Sequence, residues 1–320
     1  MTLSPEESGA KLFGGADYML NTIKTPPRVS VVITCYNYGP YLPCALDSAL
    51  GQTWQDIEVI VVDDGSTDNT PDVIKPYFAD SRVRYFRQQN AGQPKAKNRG
   101  IAESRGEFIA FLDADDIWFS DKIAQQLPLF ADPAVGVVYS RRKWIDPQGN
   151  EMLGNERILR RGFILDYLFI DNFVCFSSSI IRRFFLEEVG WFDESLPMGI
   201  DYDLWIRLAA RCKFDFVDEA LVKYRTGHAN LSKNVWRRYE CAQKIMNKSL
   251  QNPEIGNKLS PWVPDSAWAD TWTNMGNYAR LQGDRSKARQ YLLKAIKIKP
   301  LFLPAWKGLM KSAAFPGRMK

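Results

Sequence analysis

Four short β-favouring runs, Val29–Ile33, Glu58–Val62, Val83–Phe86 and Phe108–Leu112, each stop at a polar loop, and helical patterns lie between them. The first run, VSVVI, is β-branched and ends in Thr34-Cys35-Tyr36-Asn37-Tyr38-Gly39-Pro40, with a helix expected from about Tyr41 to Gln52. The second ends in Asp63-Asp64-Gly65-Ser66-Thr67-Asp68, and Thr70 before Pro71 predicts a helix start with Thr70 as the capping hydroxyl. The third leads through Asn90-Ala91-Gly92-Gln93-Pro94 into a helix carrying Lys95, Lys97, Asn98 and Arg99. Strands alternating with helices imply an α/β fold whose mostly parallel sheet, flanked by helices, has right-handed crossovers and two buried faces. In such sheets ligands sit beyond the carboxyl ends of the strands.

The fourth run delivers Asp113, Asp115 and Asp116 to its own end. Taken alone, this cluster is equally a solvated acidic turn or a cation site, because three carboxylates in four residues repel unless water or a cation neutralises them. Its place beyond a parallel strand brings it to one rim with Thr34, Tyr36, Asn37, Asp63, Asp64, Lys95 and Arg99. An aromatic ring, carboxylates and cations on one rim suit a nucleotide diphosphate bridged by a divalent cation. Neither GxxxxGK[ST] nor GxGxxG occurs, and the residues after Asp115 lack the glycine and distal glutamate of a calcium loop.

At 320 residues, 45% hydrophobic and 25% charged, the chain has room for a large α/β domain with an appendage. No apolar run approaches the roughly 20 residues that span a bilayer, and the start lacks a signal-peptide layout, so a cytoplasmic protein is expected, peripheral at the inner membrane face at most. The five cysteines are scattered and form no CxxC pair, which argues against a disulfide framework or a zinc site. The net charge is +5, with basic clusters at 141–143, 160–161 and 182–183 that read as solvated faces or phosphate contacts; no nucleic-acid motif is present.

The stretches VSVVITCYNYGPYL, QTWQDIEVIVVDDGSTDNT, NAGQPKAKNRGIAESRGEFIAFLDADDIW and GWFDESLPMGIDYDLWIRLA, in this order, resemble glycosyltransferase family 2 over about Arg28 to Ser232. The resemblance implies a GT-A fold and inverting, hexosyltransferase-like transfer of a sugar from a nucleotide diphosphate donor, in the first instance a UDP-sugar, to a saccharide, lipid-linked or protein acceptor. Residue by residue it implies donor contacts at Thr34, Tyr36, Asn37, Asp63, Asp64, Lys95, Arg99, Asp113 and Ala114, with Asp64 on the base. Asp113 and Asp115 match the DxD element that holds Mn²⁺ or Mg²⁺. Two departures stand out: Lys97 where an arginine is commoner, and Pro94-Lys95 in place of a small pair.

In the second half, the segment from Asp121 to Leu129 is expected to be helical, and residues 136–140 with the turn Asp146-Pro147-Gln148-Gly149 predict a hairpin. Asp201, in MGIDYDLW, matches the family's catalytic base, although Ile200 replaces the preceding acid; an aspartate there also serves as a helix cap, and both roles are compatible. Asp203, two positions on, is expected to be structural. His228, the chain's single histidine, lies in a YRxxH match that implies a third metal ligand. Residues 1–27 read as a tail, 28–235 as the transferase domain (halves 28–118 and 119–235), and 236–320 as a helical region with one tetratricopeptide-like repeat at about 269–302, suited to a protein partner or self-association. Competing readings are a nucleotidyltransferase, disfavoured by the IDYDLW segment, and a catalytically silent nucleotide-sugar-binding adaptor, favoured only by Ile200.

Overall fold

The computed structural model describes residues 28–227 and 234–313. Three strand–loop–helix units and a fourth strand form as the sequence predicts: β1 (Val29–Cys35), α1 (Leu42–Leu50), β2 (Ile57–Asp63), α2 (Thr70–Val73), β3 (Val83–Arg87), α3 (Gln93–Glu103) and β4 (Phe108–Asp113). Helix α2 is a single turn that passes into a 3₁₀ turn at Lys75–Ala79. Its N-cap is Asn69, because the Thr70 hydroxyl and N–H are both drawn to Asp68 Oδ1 instead. The next elements are β5 (Ile117–Trp118), α4 (Lys122–Gln126), β6 (Val135–Ile145), β7 (Glu151–Met152), α5 (Leu165–Ile170), β8 (Ile180–Arg182), α6 (Arg183–Val189), α7 (Ile200–Ala209) and β9 (Lys213–Arg225). Helices α8 (Val235–Gln251), α9 (Pro253–Gly256), α10 (Val263–Leu281), α11 (Arg285–Ile298) and α12 (Leu303–Ala313) follow.

The strands form one sheet in the order β3-β2-β1-β4-β8-β6-β9-β5, with β7 beside β6. The β3–β2–β1–β4 portion is parallel, β8 runs antiparallel between β4 and β6, and β6 pairs parallel with β9. Because successive strand side chains point to opposite faces, Val29, Val31 and Ile33 pack with Leu42, Ala45 and Leu46 of α1, while Val32 packs with Ile101 of α3 and with α7. Both faces are therefore buried, and all the polar loops emerge at the C-terminal edge of the parallel strands.

The expected hairpin forms between β6 and β7, around the Asp146–Gly149 turn. Strand β6 runs on through Arg141, Arg142 and Lys143, which break the local apolar pattern, because β9 pairs with it along its length. The C-terminal helices are continuous with this core: Ile245, Met246, Ile255, Val263 and Ala267 pack in the same apolar cluster as Trp205 of α7. Helices α10 and α11 make a close hairpin. At Gly276 an added Cβ would lie 2.7 Å from Leu292 Cγ, so glycine sets how closely they approach.

Candidate active site

At the edge of the sheet, the loops after β1 and β2 are clamped together by Asn37. This residue sits at φ 59°, its Oδ1 accepts from Thr67 N at 2.7 Å, and its N–H donates to Ser66 Oγ at 2.9 Å. Asn37 thus shapes the rim, and its side-chain oxygen is engaged within it. Asp63 is fully buried: Oδ1 accepts from Ser66 N and Oδ2 from Tyr85 Oη, both at 2.7 Å. Both oxygens are used inside the fold, so the structure does not bring Asp63 to the rim with Asp64.

Asp64 lies at the rim. It accepts from Gln88 Nε2 at 2.8 Å, from Ala91 N at 2.9 Å and from Gly92 N at 2.8 Å. Gly92, at φ 91°, lets the chain turn its N–H back onto this carboxylate. Tyr36 stands beside the rim, 44% exposed. Thr34 lies across from Asp113 in the β1–β4 register, and Ala114 is buried, which leaves its backbone as the part at the strand end.

Helix α3 divides the predicted cations. Lys95 is exposed on its first turn. Lys97 is buried, with Nζ 2.7 Å from Asp113 Oδ1 and 4.0 Å from the centre of the Phe176 ring. Arg99, two residues on and therefore about 200° around the helix, turns to β3, where it donates to Arg87 O at 3.3 Å and lies over Phe86. The structure thus gathers Lys97, not Arg99, to the acidic tip.

Asp113 and Asp115 share that tip. The Asp113 N–H donates to Ser177 Oγ at 3.1 Å, and burial, then the Asp113 charge, push the Asp115 acid up to about 7. Asp116 points inward, where its Oδ1 accepts from Arg225 N at 2.8 Å. Arg225, itself buried, donates to the carbonyls of Asp115, Asp146 and Pro147, and so braces the acidic turn against the β6–β7 hairpin.

Asp201 occupies the first turn of α7, one residue inside the helix whose N-cap is the left-handed Gly199, and its carboxylate also accepts from the backbone N–H groups of Tyr202 and of Asp201 itself. Its Oδ2 accepts from Asn172 Nδ2 at 2.8 Å, and burial, together with the charge of Asp113, raises its carboxyl above the ordinary range. Ile200 is 3% exposed and belongs to the core, where an unpaired acid would be costly. Asp203 is structural, pairing with Arg207 at 2.9 Å and with Lys248 of α8 at 2.8 Å. Asn172 and Ser177 carried no signal in the spacing, and Arg225, though inside the YRxxH match, was given no role there; their long-range partners reveal all three.

His228 lies outside the described residues. Among the described residues no three His, Cys, Asp or Glu side chains converge as an all-protein metal cage. The Asp113–Asp115 pair nevertheless fits a divalent cation: Mg²⁺-like sites use one or two carboxylates and complete the shell with phosphate and water oxygens. Burial raises the Asp115 acid first and the Asp113 charge adds to it, so a cation bound there would stabilise the charged pair. No helix among the described residues is long and apolar enough to cross a membrane.

Solved structures share this architecture at low identity. TarS residues 1–349 from S. aureus, in complex with UDP-GlcNAc, aligns over 89% of each chain with a TM-score of 0.64 and 18% identity. The mannosyltransferase PcManGT of Pyrobaculum calidifontis, with GDP-Man and Mn²⁺, covers 91% of this chain and 85% of its own, with a TM-score of 0.58 and 19% identity. In sequence, the chain is 30% identical over 238 residues to an uncharacterized glycosyltransferase of Rickettsia typhi, covering 72% of this chain and 74% of that protein. It is 32% identical over 248 residues to the chondroitin synthase of Escherichia coli, 76% of this chain but 35% of the synthase. The chain likewise spans 36% of a Rickettsia felis relative. The model of glycosyl transferase family 2 matches residues 30–190. With the GT-A architecture and the motif residues placed on one rim, the chain belongs to glycosyl transferase family 2.

Proposed function

We propose that this protein transfers a sugar from a nucleotide diphosphate donor to an acceptor hydroxyl, with inversion at the anomeric carbon. The observation that carries the reading is Asp201: a carboxylate held by Asn172, close enough to Asp113 to feel its charge. In this reading the donor base lies by Tyr36 and Asp64, and the diphosphate lies toward Thr34, Ala114, Asp113 and Lys95. Asp201 takes the proton of the acceptor hydroxyl as the hydroxyl attacks opposite the leaving diphosphate, which gives inversion. Lys97 holds Asp113 in place from beneath. A bound Mn²⁺ or Mg²⁺ supplies charge stabilisation to the leaving group, and Asp113 and Asp115 would hold it, with His228 assigned on sequence alone.

A UDP-sugar is the first donor to test, and a saccharide, lipid-linked or protein acceptor at the cytoplasmic face of a membrane is part of the same proposal. We assign residues 28–235 to the transferase domain and 236–320 to a helical region. Within that region the α10–α11 hairpin, with Met275, Gly276, Ala288 and Ala295 buried, supports a tetratricopeptide-like unit for a protein partner or self-association.

The test is sugar release from a panel of nucleotide sugars by the purified protein with Mn²⁺. Asp201→Asn should lose about 10²–10⁴-fold in turnover while donor affinity stays within threefold. Absence of turnover with every nucleotide sugar, or full activity in Asp201→Asn, would refute the assignment.

A further inference from the structure

We propose that the groove beside the β6–β7 hairpin is an acceptor subsite that recognises an anionic group, phosphate or carboxylate, through Arg142. This rests on the transferase reading above and extends it to the chemistry of the acceptor. The groove encloses about 320 Å³, and its walls include Arg142, Trp144, Gly154, Phe173 and Cys175.

Most cations lining it are already neutralised. Arg141 pairs with Asp218 at 2.6 Å, Lys143 with Glu151 at 3.0 Å, and Arg157 with Asp171 at 2.6 Å. Arg142 is the exception. It is only partly exposed, yet among the described residues no carboxylate pairs with it within 4 Å; the Cys175 side chain is its hydrogen-bond partner, and the buried Asp116 acts on it only from farther off. Two rings flank it, with its guanidinium carbon 4.5 Å from the Trp144 ring centre and 4.9 Å from that of Tyr224. Arginine is seldom withdrawn from water without an anionic partner, because desolvation weakens the charged form. Two aromatic rings restrain the guanidinium plane, and one thiol partner does not satisfy its five in-plane N–H donors. A restrained fork of this kind matches two oxygens of a carboxylate or phosphate.

The position agrees with an acceptor role. Phe173 lines the groove and directly follows Asn172, which donates to the Asp201 carboxylate. Neither Asp113 nor Asp115 lines it, so the groove is distinct from the donor end of the site. An anionic group on Arg142 would anchor the acceptor while its hydroxyl reaches Asp201.

The experiment measures binding to the full chain without nucleotide, by ligand-detected saturation-transfer NMR, with glucose 6-phosphate, glucuronate and glucose as probes. At least one anionic sugar should bind tenfold or more tightly than glucose, and the two anionic arms separate phosphate from carboxylate recognition. Arg142→Gln should weaken that binding at least tenfold, and Arg142→Lys, which keeps the charge without the fork, should fall between. UDP-sugar affinity and melting temperature, read in the same variants, report on the donor site and on folding. Equal binding of glucose, a change under twofold in both variants, or displacement of the anionic sugar by UDP would each overturn the proposal. Failure of the wild-type protein to bind any nucleotide sugar would instead count against the transferase reading, and the Arg142 comparison would stand on its own.

Discussion

Replacing Lys97 with methionine tests the electrostatic logic of the acidic tip. The ammonium lies 2.7 Å from Asp113 Oδ1, with side chains 3% and 28% exposed. At an effective dielectric constant near 20, that separation corresponds to an attraction of about 6 kcal/mol, from which the desolvation of Lys97 subtracts several kcal/mol. Methionine fills the space beside Phe176 but leaves Asp113, next to Asp115, without its ammonium partner. Breaking a buried pair costs about 3–5 kcal/mol, and the partial exposure of Asp113 reduces this to about 2–3 kcal/mol. For a chain of this size the melting temperature should fall by roughly 3–4 °C. Asp113→Asn should cost a similar amount, since it strands a buried ammonium. The double variant should cost about as much as either single one, a coupling of about 2 kcal/mol in a guanidinium-unfolding cycle. If the two single losses simply add, the pair does not hold the tip and the reasoning fails.

Three further outcomes are expected. The acid limb of kcat/KM should lie above the ordinary carboxylate range, because burial raises Asp201 and the base must be ionised. Asn172→Ala, which removes a hydrogen bond to the charged form, should shift that limb further up; an unshifted pH profile would detach Asn172 from the base. Lys122 is fully buried, with Gln126 Oε1 at 2.7 Å and the centre of the Trp118 ring at 4.1 Å from its ammonium, and burial pulls that ammonium well below the usual range. The unfolded chain therefore binds more protons between the two values, so stability rises with pH across that window. Lys122→Met should flatten this dependence in pH-resolved denaturation. Gly276→Val should cost about 1–3 kcal/mol by pushing α10 from α11, seen as a lowered midpoint with unchanged donor affinity.

Much of the nucleotide half was legible because its signals are local. A β-branched run declares a strand, a Gly/Pro/Asp loop ends it, and parallel topology then carries every strand end to one edge; Asp64, Asp113 and Tyr36 were placed by that reasoning alone. Local signals failed where packing overrules them. Arg141-Arg142-Lys143 read as a surface cluster, yet they continue β6 because β9 supplies their backbone partners. Thr70 read as a cap, yet Asp68 claims its hydroxyl.

What the sequence determined by itself is the class of fold, the family motifs and the rim on which they meet, since strand–helix alternation and motif spacing follow from chain-local patterns. What only the tertiary structure decided is which side chains the rim can use. Asp63 is spent on Ser66 and Tyr85, Lys97 rather than Arg99 meets Asp113, and Asn172 reaches Asp201 across 29 residues. Each outcome depends on the rotation of a helix or the docking of a distant loop. Such long-range geometry is set by how the whole core packs, and it leaves no periodic trace in the chain.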